Sequence, residues 1–322
     1  MSDFQSDEIG GYFPLELNQG KQYHEGTYKL NNCRNGIELL LKEKKYTKIF
    51  IPNYSCDALL TPINNLGLDY EYYNINSDFE VEPYHNPDSG EAFLYINYFG
   101  LKNEFIKKLT SKFSNLIVDN SQAFYSLPIA GIDTVYSPRK FFGVPDGGYL
   151  YTDCKIDSNL EIDHSYSSCE FLLKRCEYPA TEGYDLYRDV EDKMDNTSIK
   201  RMSPLTKKIL SSIDYEKVKL IRERNFLYLH SQLKDINELN IELKEICGPY
   251  FYPLLLSSNI KDKLIKNKIY VPTFWKEVLN RVDKNSFEYK YTENIHPLPI
   301  DQRYGLCNMD RIIHHTENIL KT

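Results

Sequence analysis

Short apolar runs alternating with stretches of helical spacing predict an α/β protein. Its sheet is expected to be mixed, mostly parallel and flanked by helices, with a smaller α+β domain at the C-terminal end. Three observations carry this. Leu116 to Val118, Thr134 to Tyr136 and Tyr149 to Tyr151 are brief, rich in Val, Ile and Tyr, and bounded by turn formers, as buried strands are. Helical patterns separate the earlier strands. After Asp153 the character changes: helices dominate, and from Pro249 short strands mix with helices.

The elements follow in order. Up to residue 25 the chain is Gly-rich and polar, an irregular arm whose apolar patch Gly10-Gly11-Tyr12-Phe13-Pro14 is expected to pack on something. Helical spacing begins at about Asn35 in NGIELLLKEKK, with Asn31, Asn32 and Cys33 as capping candidates. KIFIP (Lys48 to Pro52) reads as a buried strand and CDALLTPINNLG as a helix ended by Gly67. Tyr70 to Ile75 and Ala92 to Asn97 are strands around a polar loop from Asn76 to Glu91, which holds Pro83 and Pro87. LKNEFIKKLTSKF carries apolar residues at 101, 105, 109 and 113, one helical face.

Beyond the three runs, helical pieces are expected over Tyr166 to Asp195, Pro204 to Ser212 and Tyr215 to Ile236. YFYPLLL, KIYVP and NIHPLPI read as strands, and MDRIIHHTENIL as a closing helix capped by Asn308. The expected division is a large domain over 1–215 with its arm and a small domain over 216–322, with the boundary inside the long helix.

Composition narrows the function classes. A chain of 322 residues, 41% apolar and 26% charged, can bury a large core and is no disordered protein. A net charge of −7 without a basic stripe gives no support to nucleic-acid binding. The seven cysteines are odd in number and form no CxxC pair, which argues against a zinc ribbon or a disulfide framework and for a reducing compartment. No metal site is expected. The N-terminus MSDFQSDEIGG has no apolar core and no run approaches a membrane span, so the expectation is a cytoplasmic protein without a membrane partner.

Ligands of parallel sheets sit outside the carboxyl ends of the strands, and Asp119 and Ser137 both lie at such ends. Lys140, followed by Phe141-Phe142-Gly143, is expected among apolar neighbours, where desolvation makes a lysine nucleophilic towards carbonyls. The alternative is a surface lysine with its stem along the Phe rings. Asp119 reads either as a strand-end turn acid or as a carboxylate that pairs with the ring nitrogen of pyridoxal phosphate. Gln122 lies within reach of such a ring. Asn32-Cys33-Arg34 precede a helix whose first N–H groups make a phosphate seat, to which Ser137 can add a hydroxyl. Nucleotide-loop, zinc-protease and serine-hydrolase motifs are absent.

Read in sequence order, these pieces form a recognisable set: NNCRNGIELLL, Pro52-Asn53-Tyr54-Ser55-Cys56, Asn97-Tyr98-Phe99-Gly100, Asp119 with Gln122, then Ser137, Lys140 and Asp146-Gly147-Gly148. The set resembles the DegT/DnrJ/EryC1/StrS family of pyridoxal-phosphate-dependent sugar aminotransferases, of aspartate aminotransferase fold (fold type I). The resemblance covers about residues 25 to 155 well and the remainder loosely. It implies a pyridoxal 5′-phosphate cofactor, with Lys140 as covalent anchor and general base. Asp119, Gln122, Ser137, Cys33 and Arg34 would surround the cofactor. The related dehydratases carry histidine in place of this lysine, so transamination is the implied reaction.

By the same resemblance, an amino acid, glutamate in the first instance, donates to a keto sugar carried on a nucleotide, for surface polysaccharide or glycoside synthesis. The site is shared across a homodimer. Tyr12 would line it, and Arg139, Arg201 and Arg303 are candidates for the donor carboxylate.

The chain departs from the family in three places. Ser137 stands closer to the lysine than the family's serine does. Cys56 aligns with the aromatic that stacks on the cofactor, so Tyr54 or Tyr98 is the expected substitute. Ile199-Lys200-Arg201-Met202-Ser203 lacks the family's asparagine. These departures leave two other readings open: a cofactor-binding scaffold or regulator without catalysis, and lyase or racemase chemistry on the same cofactor.

Overall fold

The computed structural model describes residues 9–81, 86–156, 159–195, 197–244 and 246–321. The first residues of the arm and part of the loop expected over 76–91 lie outside the described residues. Residues 9–27 form no regular element, and Ile9, Tyr12 and Phe13 are almost fully exposed rather than packed as expected.

The chain then runs through β1 (Tyr28–Leu30), α1 (Cys33–Glu43), β2 (Lys48–Pro52), α2 (Leu60–Leu66), β3 (Asp69–Tyr73), β4 (Glu91–Ile96) and α3 (Asn103–Thr110). β5 (Leu116–Asp119), β6 (Asp133–Tyr136) and β7 (Gly148–Tyr151) follow. These seven strands make one sheet of order β1-β7-β6-β5-β4-β2-β3. β7 runs antiparallel to both neighbours and the other pairings are parallel, which is the mixed, mostly parallel sheet the sequence predicts. β4 shows why: Ala92 to Tyr95 are fully buried, the continuous apolar run of a strand covered on both faces.

α1 starts two residues earlier than its spacing indicates, because the Asn32 side chain accepts a hydrogen bond from the Asn35 N–H at 2.7 Å. Its Ile37, Leu40 and Leu41 are buried on the sheet, and a Cβ on Gly36 would stand 3.5–3.8 Å from Leu30, Val135 and Leu150. α2 ends at Gly67 with φ +63°, a left-handed stop.

The helical region resolves into α4 (Glu170–Glu177), α5 (Tyr184–Met194), α6 (Pro204–Ser211) and α7 (Tyr215–Leu233). α7 joins two cores. Its Tyr215 and Val218 pack with Phe124, Phe141 and Phe142, while Phe226, Leu229 and Leu233 pack with the C-terminal elements. These are β8 (Tyr252–Leu255), α8 (Lys261–Lys266), α9 (Phe287–Asn294), β9 (Ile295–Leu298) and α10 (Leu306–Leu320). Among the described residues β8 and β9 pair only with each other.

Two expectations fail here. KIYVP is not a strand: Ile269 and Val271 fill the C-terminal core from irregular backbone, and no neighbouring strand takes up their hydrogen bonds. The closing helix begins at Leu306, and Asn308 is not its cap but sits within the first turn and accepts back from the Gly305 N–H at 3.0 Å.

Candidate active site

The carboxyl ends of β4, β5 and β6 open on a cleft of about 580 Å³. α1 points its N-terminus into this cleft, α5 stands along one side, and Tyr250, Phe251, Trp275 and Arg303 close it from the C-terminal half.

β5 delivers Asp119 to the floor, 6% exposed, and its Oδ1 accepts from the Ser121 N–H at 2.7 Å in a local turn. Asn120 N–H donates to the Val135 carbonyl at 2.8 Å, carrying the β5–β6 pairing one residue further. After β6, Ser137 leads into a single turn over Pro138–Lys140. Phe141 and Phe142 turn into the core, Phe142 also lining the cleft, but the side chain of Lys140 is not itself desolvated as expected. It is exposed to the cleft, and its Nζ donates to Ser121 Oγ at 2.9 Å. Lysine and aspartate are thereby tied to one serine.

The helix end is placed by glycine. A Cβ on Gly148 would stand 2.4 Å from the Asn32 carbonyl carbon and 2.6 Å from the Cys33 nitrogen, so only glycine lets β7 approach α1 this closely. Gly147, at φ +124°, donates its N–H to the Asn31 carbonyl at 2.5 Å. With Asn35 N–H capped, the N–H groups of Cys33 and Arg34 remain without an intrahelical acceptor. Burial and the nearby Asp119 carboxylate push the Cys33 thiol well up, against the smaller opposing pull of Lys140 and Arg34. Burial also raises the Cys56 thiol. Asp146 is not in the cleft: buried at 2%, it accepts from Ser203 N–H and Oγ and from Thr206, fastening α6 to the glycine turn.

Cys33, Arg34, Asp119, Gln122, Ser137, Arg139 and Lys140 thus meet in one cleft. Gln122 turns its Oε1 to the Phe99 N–H at 2.8 Å, where it supports a residue at φ +56°. Tyr54 and Tyr98 lie in the core, rings 5.5 Å apart, and Tyr98 donates to the Tyr54 carbonyl at 2.9 Å. Cys56, not either tyrosine, faces the cleft. Tyr12 is 97% exposed on the arm. Of the three arginines, Arg139 and Arg303 line the cleft and Arg201 does not, its Nε donating to the Leu160 carbonyl at 3.0 Å.

No local pattern marks Ser121, Glu191, Tyr250 or Trp275, which reach the cleft through long-range packing. Two arginines, Arg222 buried and Arg281 half-buried, hold this frame. Arg281 donates to the Asn53 and Ser55 carbonyls and so fixes the loop that carries Cys56. Arg222 on α7 donates to the Pro249 and Tyr250 carbonyls, both at 3.1 Å, with its guanidinium 4.5 Å from the Phe141 ring centroid. Burial lowers its pKa to about 10.

A mixed, mostly parallel sheet with a cleft at its carboxyl ends, a helix N-terminus, a carboxylate and a lysine defines an α/β enzyme-like fold. Its likeness to solved structures is specific. The chain superposes on a DegT/DnrJ/EryC1/StrS aminotransferase from Brucella abortus over 91% of its own length and 86% of that chain, with a TM-score of 0.63 at 13% identity. Helicobacter pylori PseC, an aminotransferase involved in the biosynthesis of pseudoaminic acid, matches with 91% and 86% coverage, TM-score 0.60 and 18% identity. Spr1654 from Streptococcus pneumoniae, solved in a PLP form, matches with the same coverages, TM-score 0.62 and 14% identity. By sequence, no family model and no curated protein matches. The fold of the chain is therefore that of these aminotransferases, the architecture its sequence predicts.

Proposed function

We propose that this protein is a pyridoxal-phosphate-dependent aminotransferase that moves an amino group from an amino acid to a keto sugar. The single observation that carries the reading is the meeting of Lys140, Asp119 and the open N-terminus of α1 in one cleft. The donor set fits the cofactor: a primary amine for its aldehyde, a buried carboxylate for its ring nitrogen, and the N–H groups of the α1 N-terminus with a guanidinium for its phosphate. The close approach that Gly148 permits keeps those N–H groups at the floor. Pyridoxal phosphate supplies, when bound, an electron sink for charge developing at the carbon that bears the amino group.

The rest is done by the chain's own residues. Asp119 holds a proton at the ring nitrogen. Lys140 takes a proton from the donor's Cα and returns one on the acceptor side, as anchor and general base. Ser121 holds the Lys140 amine over the floor, and Ser137 adds a hydroxyl near the phosphate. Arg139 or Arg303 meets the donor's carboxylate, glutamate being the first donor to try. A nucleotide-linked sugar, surface polysaccharide or glycoside synthesis, and a homodimer with shared sites belong to the same reading. The exposed Tyr12, Phe13 and Leu15 of the arm support the dimer, offering apolar surface for a second copy to cover.

The protein mixed with pyridoxal phosphate is expected to develop a visible absorption band, to be labelled at Lys140 by borohydride, and to lose the band when glutamate is added. Lys140→Ala, a change at an exposed residue, is expected to keep the fold and abolish all three responses. A wild-type protein that stays colourless with the cofactor sinks the proposal. The placement of Tyr54 and Tyr98 in the core, with Cys56 on the cleft, favours a second reading, a cofactor-binding protein without turnover. A band that no amino donor bleaches selects it.

A further inference from the structure

α4 and α5 stand over the mouth of the cleft with little of their surface buried: α4 has no buried residue, and α5 buries only Val190 and Met194. Charge ties α5 down. Glu191 Oε1 meets Arg139 Nη2 at 2.5 Å, and Asp195 Oδ1 meets Arg34 Nη1. Residues four apart share a helix face, so α5 and its C-cap residue Asp195 present two carboxylates to two arginines of the floor. The arginines are those nearest the chemistry. Arg34 lies in the first turn of α1 next to Cys33, and Arg139 adjoins Lys140. Glu191 satisfies Arg139 only in part, since the Arg139 Nε is buried without a hydrogen-bond partner among the described residues.

We propose that Arg34 and Arg139 are two anion seats of the cleft, and that Asp195 and Glu191 occupy them only while no ligand is bound. The ligand chemistry is a phosphate at Arg34 and a carboxylate at Arg139. The assignment rests on the reading of the cleft as a site for pyridoxal phosphate and an amino acid. Its physical basis is a difference in what each anion meets. The side chains of Asp195 and Glu191 are 56% and 36% exposed, and partly exposed ion pairs contribute little. A phosphate at Arg34 gains the α1 N–H groups as well as the guanidinium. A ligand that takes both seats removes both ion pairs that hold α5 to the floor, so binding loosens this helix instead of closing it.

Hydrogen exchange on the full chain tests this with inorganic phosphate and glutarate, added singly and together. Slower exchange at the first turn of α1 and faster exchange over residues 184–195 are expected, the latter greatest with both anions. Slower or unchanged exchange in α5 while α1 is protected overturns the proposal, as does an α1 that neither anion protects. Asp195→Asn and Glu191→Gln change exposed side chains and leave the core untouched. Each is expected to tighten its own anion about threefold, phosphate for the first and glutarate for the second. Each is also expected to give fast α5 exchange without ligand. Unchanged or weaker binding overturns the proposal. The visible band with pyridoxal phosphate judges the cofactor separately. A band accompanied by slower α5 exchange sinks this inference alone. Faster exchange with phosphate and glutarate but no band sinks the cofactor reading alone.

Discussion

The floor of the cleft and the helical pair above it are held by different forces. The floor is a continuation of the sheet: Leu116 to Asp119 and Asp133 to Tyr136 are all 6% exposed or less, and α1 presses its N-terminus on Gly148. Above it, α4 and α5 expose Leu173 and Tyr184, and two ion pairs tie the α5 end of the pair to the floor. Fully burying one Val, Leu or Ile side chain stabilises by about 1.5–3 kcal/mol, whereas an exposed ion pair gives about 0–1 kcal/mol. The difference teaches that Lys140 and Asp119 are set in place by the sheet core, while the surface they face can move without disturbing them.

Breaking the floor should therefore cost most. Gly148→Ala drives a methyl group into the backbone of Asn32 and Cys33, and α1 must shift to admit it. A loss of about 3 kcal/mol in urea unfolding is expected, together with weaker cofactor retention. Wild-type stability in this variant would show that the close approach is not required.

The packing beneath the floor gives a pH-dependent effect of similar size. His24 is 1% exposed, donates from Nε2 to the Phe124 carbonyl at 2.8 Å and lies 3.2 Å from the Tyr151 hydroxyl through Nδ1. Burial first, with Lys29 adding a smaller push, lowers its pKa to about 4. Between that value and the unfolded histidine's, near 6.5, the unfolded chain binds the extra proton. The contribution is thus fully present above about pH 6.5 and is lost as pH falls towards 4, by about 3 kcal/mol. Urea midpoints measured across that window check it, and His24→Gln should flatten the slope.

Ser121→Ala separates positioning from packing. It removes the hydroxyl that receives Lys140 Nζ and leaves the Ser121 N–H bond to Asp119 intact. Stability should change by about 1 kcal/mol or less while kcat falls about tenfold with KM little altered. A rise in KM alone would assign the serine to substrate binding. The smallest effect belongs to the cap. Leu173→Ser, at a residue 61% exposed, should shift unfolding by less than about 0.5 kcal/mol, and a larger loss would mean that α4 is covered in solution.

Much of the floor was legible because its signals are local. LIVD followed by Gln122, the turn before Lys140, and an asparagine before an apolar stripe each depend on residues close in sequence, and strand ends place them at one edge by topology. The starts of α1 and α10 shifted by two and three residues for an equally local reason, a side chain reaching back or forward to an N–H. The exposure of Lys140 is not legible because periodicity does not say which way a side chain turns after a single helical turn. Tyr54 and Tyr98 were placed near the cofactor by their positions in short segments, yet their rings are committed to the core with Trp275 and Tyr291.

The sequence by itself determined the alternation of strands and helices, a mostly parallel sheet and the acid, serine and lysine at its carboxyl edge, since hydrophobic period and turn residues act within a few positions. Only the tertiary structure decided that Ser121 holds the lysine, that Arg222 and Arg281 fix the cleft walls, and that Glu191 and Asp195 face Arg139 and Arg34. Those contacts join residues 19 to 228 positions apart, and such partners are chosen by the packing of whole elements, not by any pattern in the neighbouring residues.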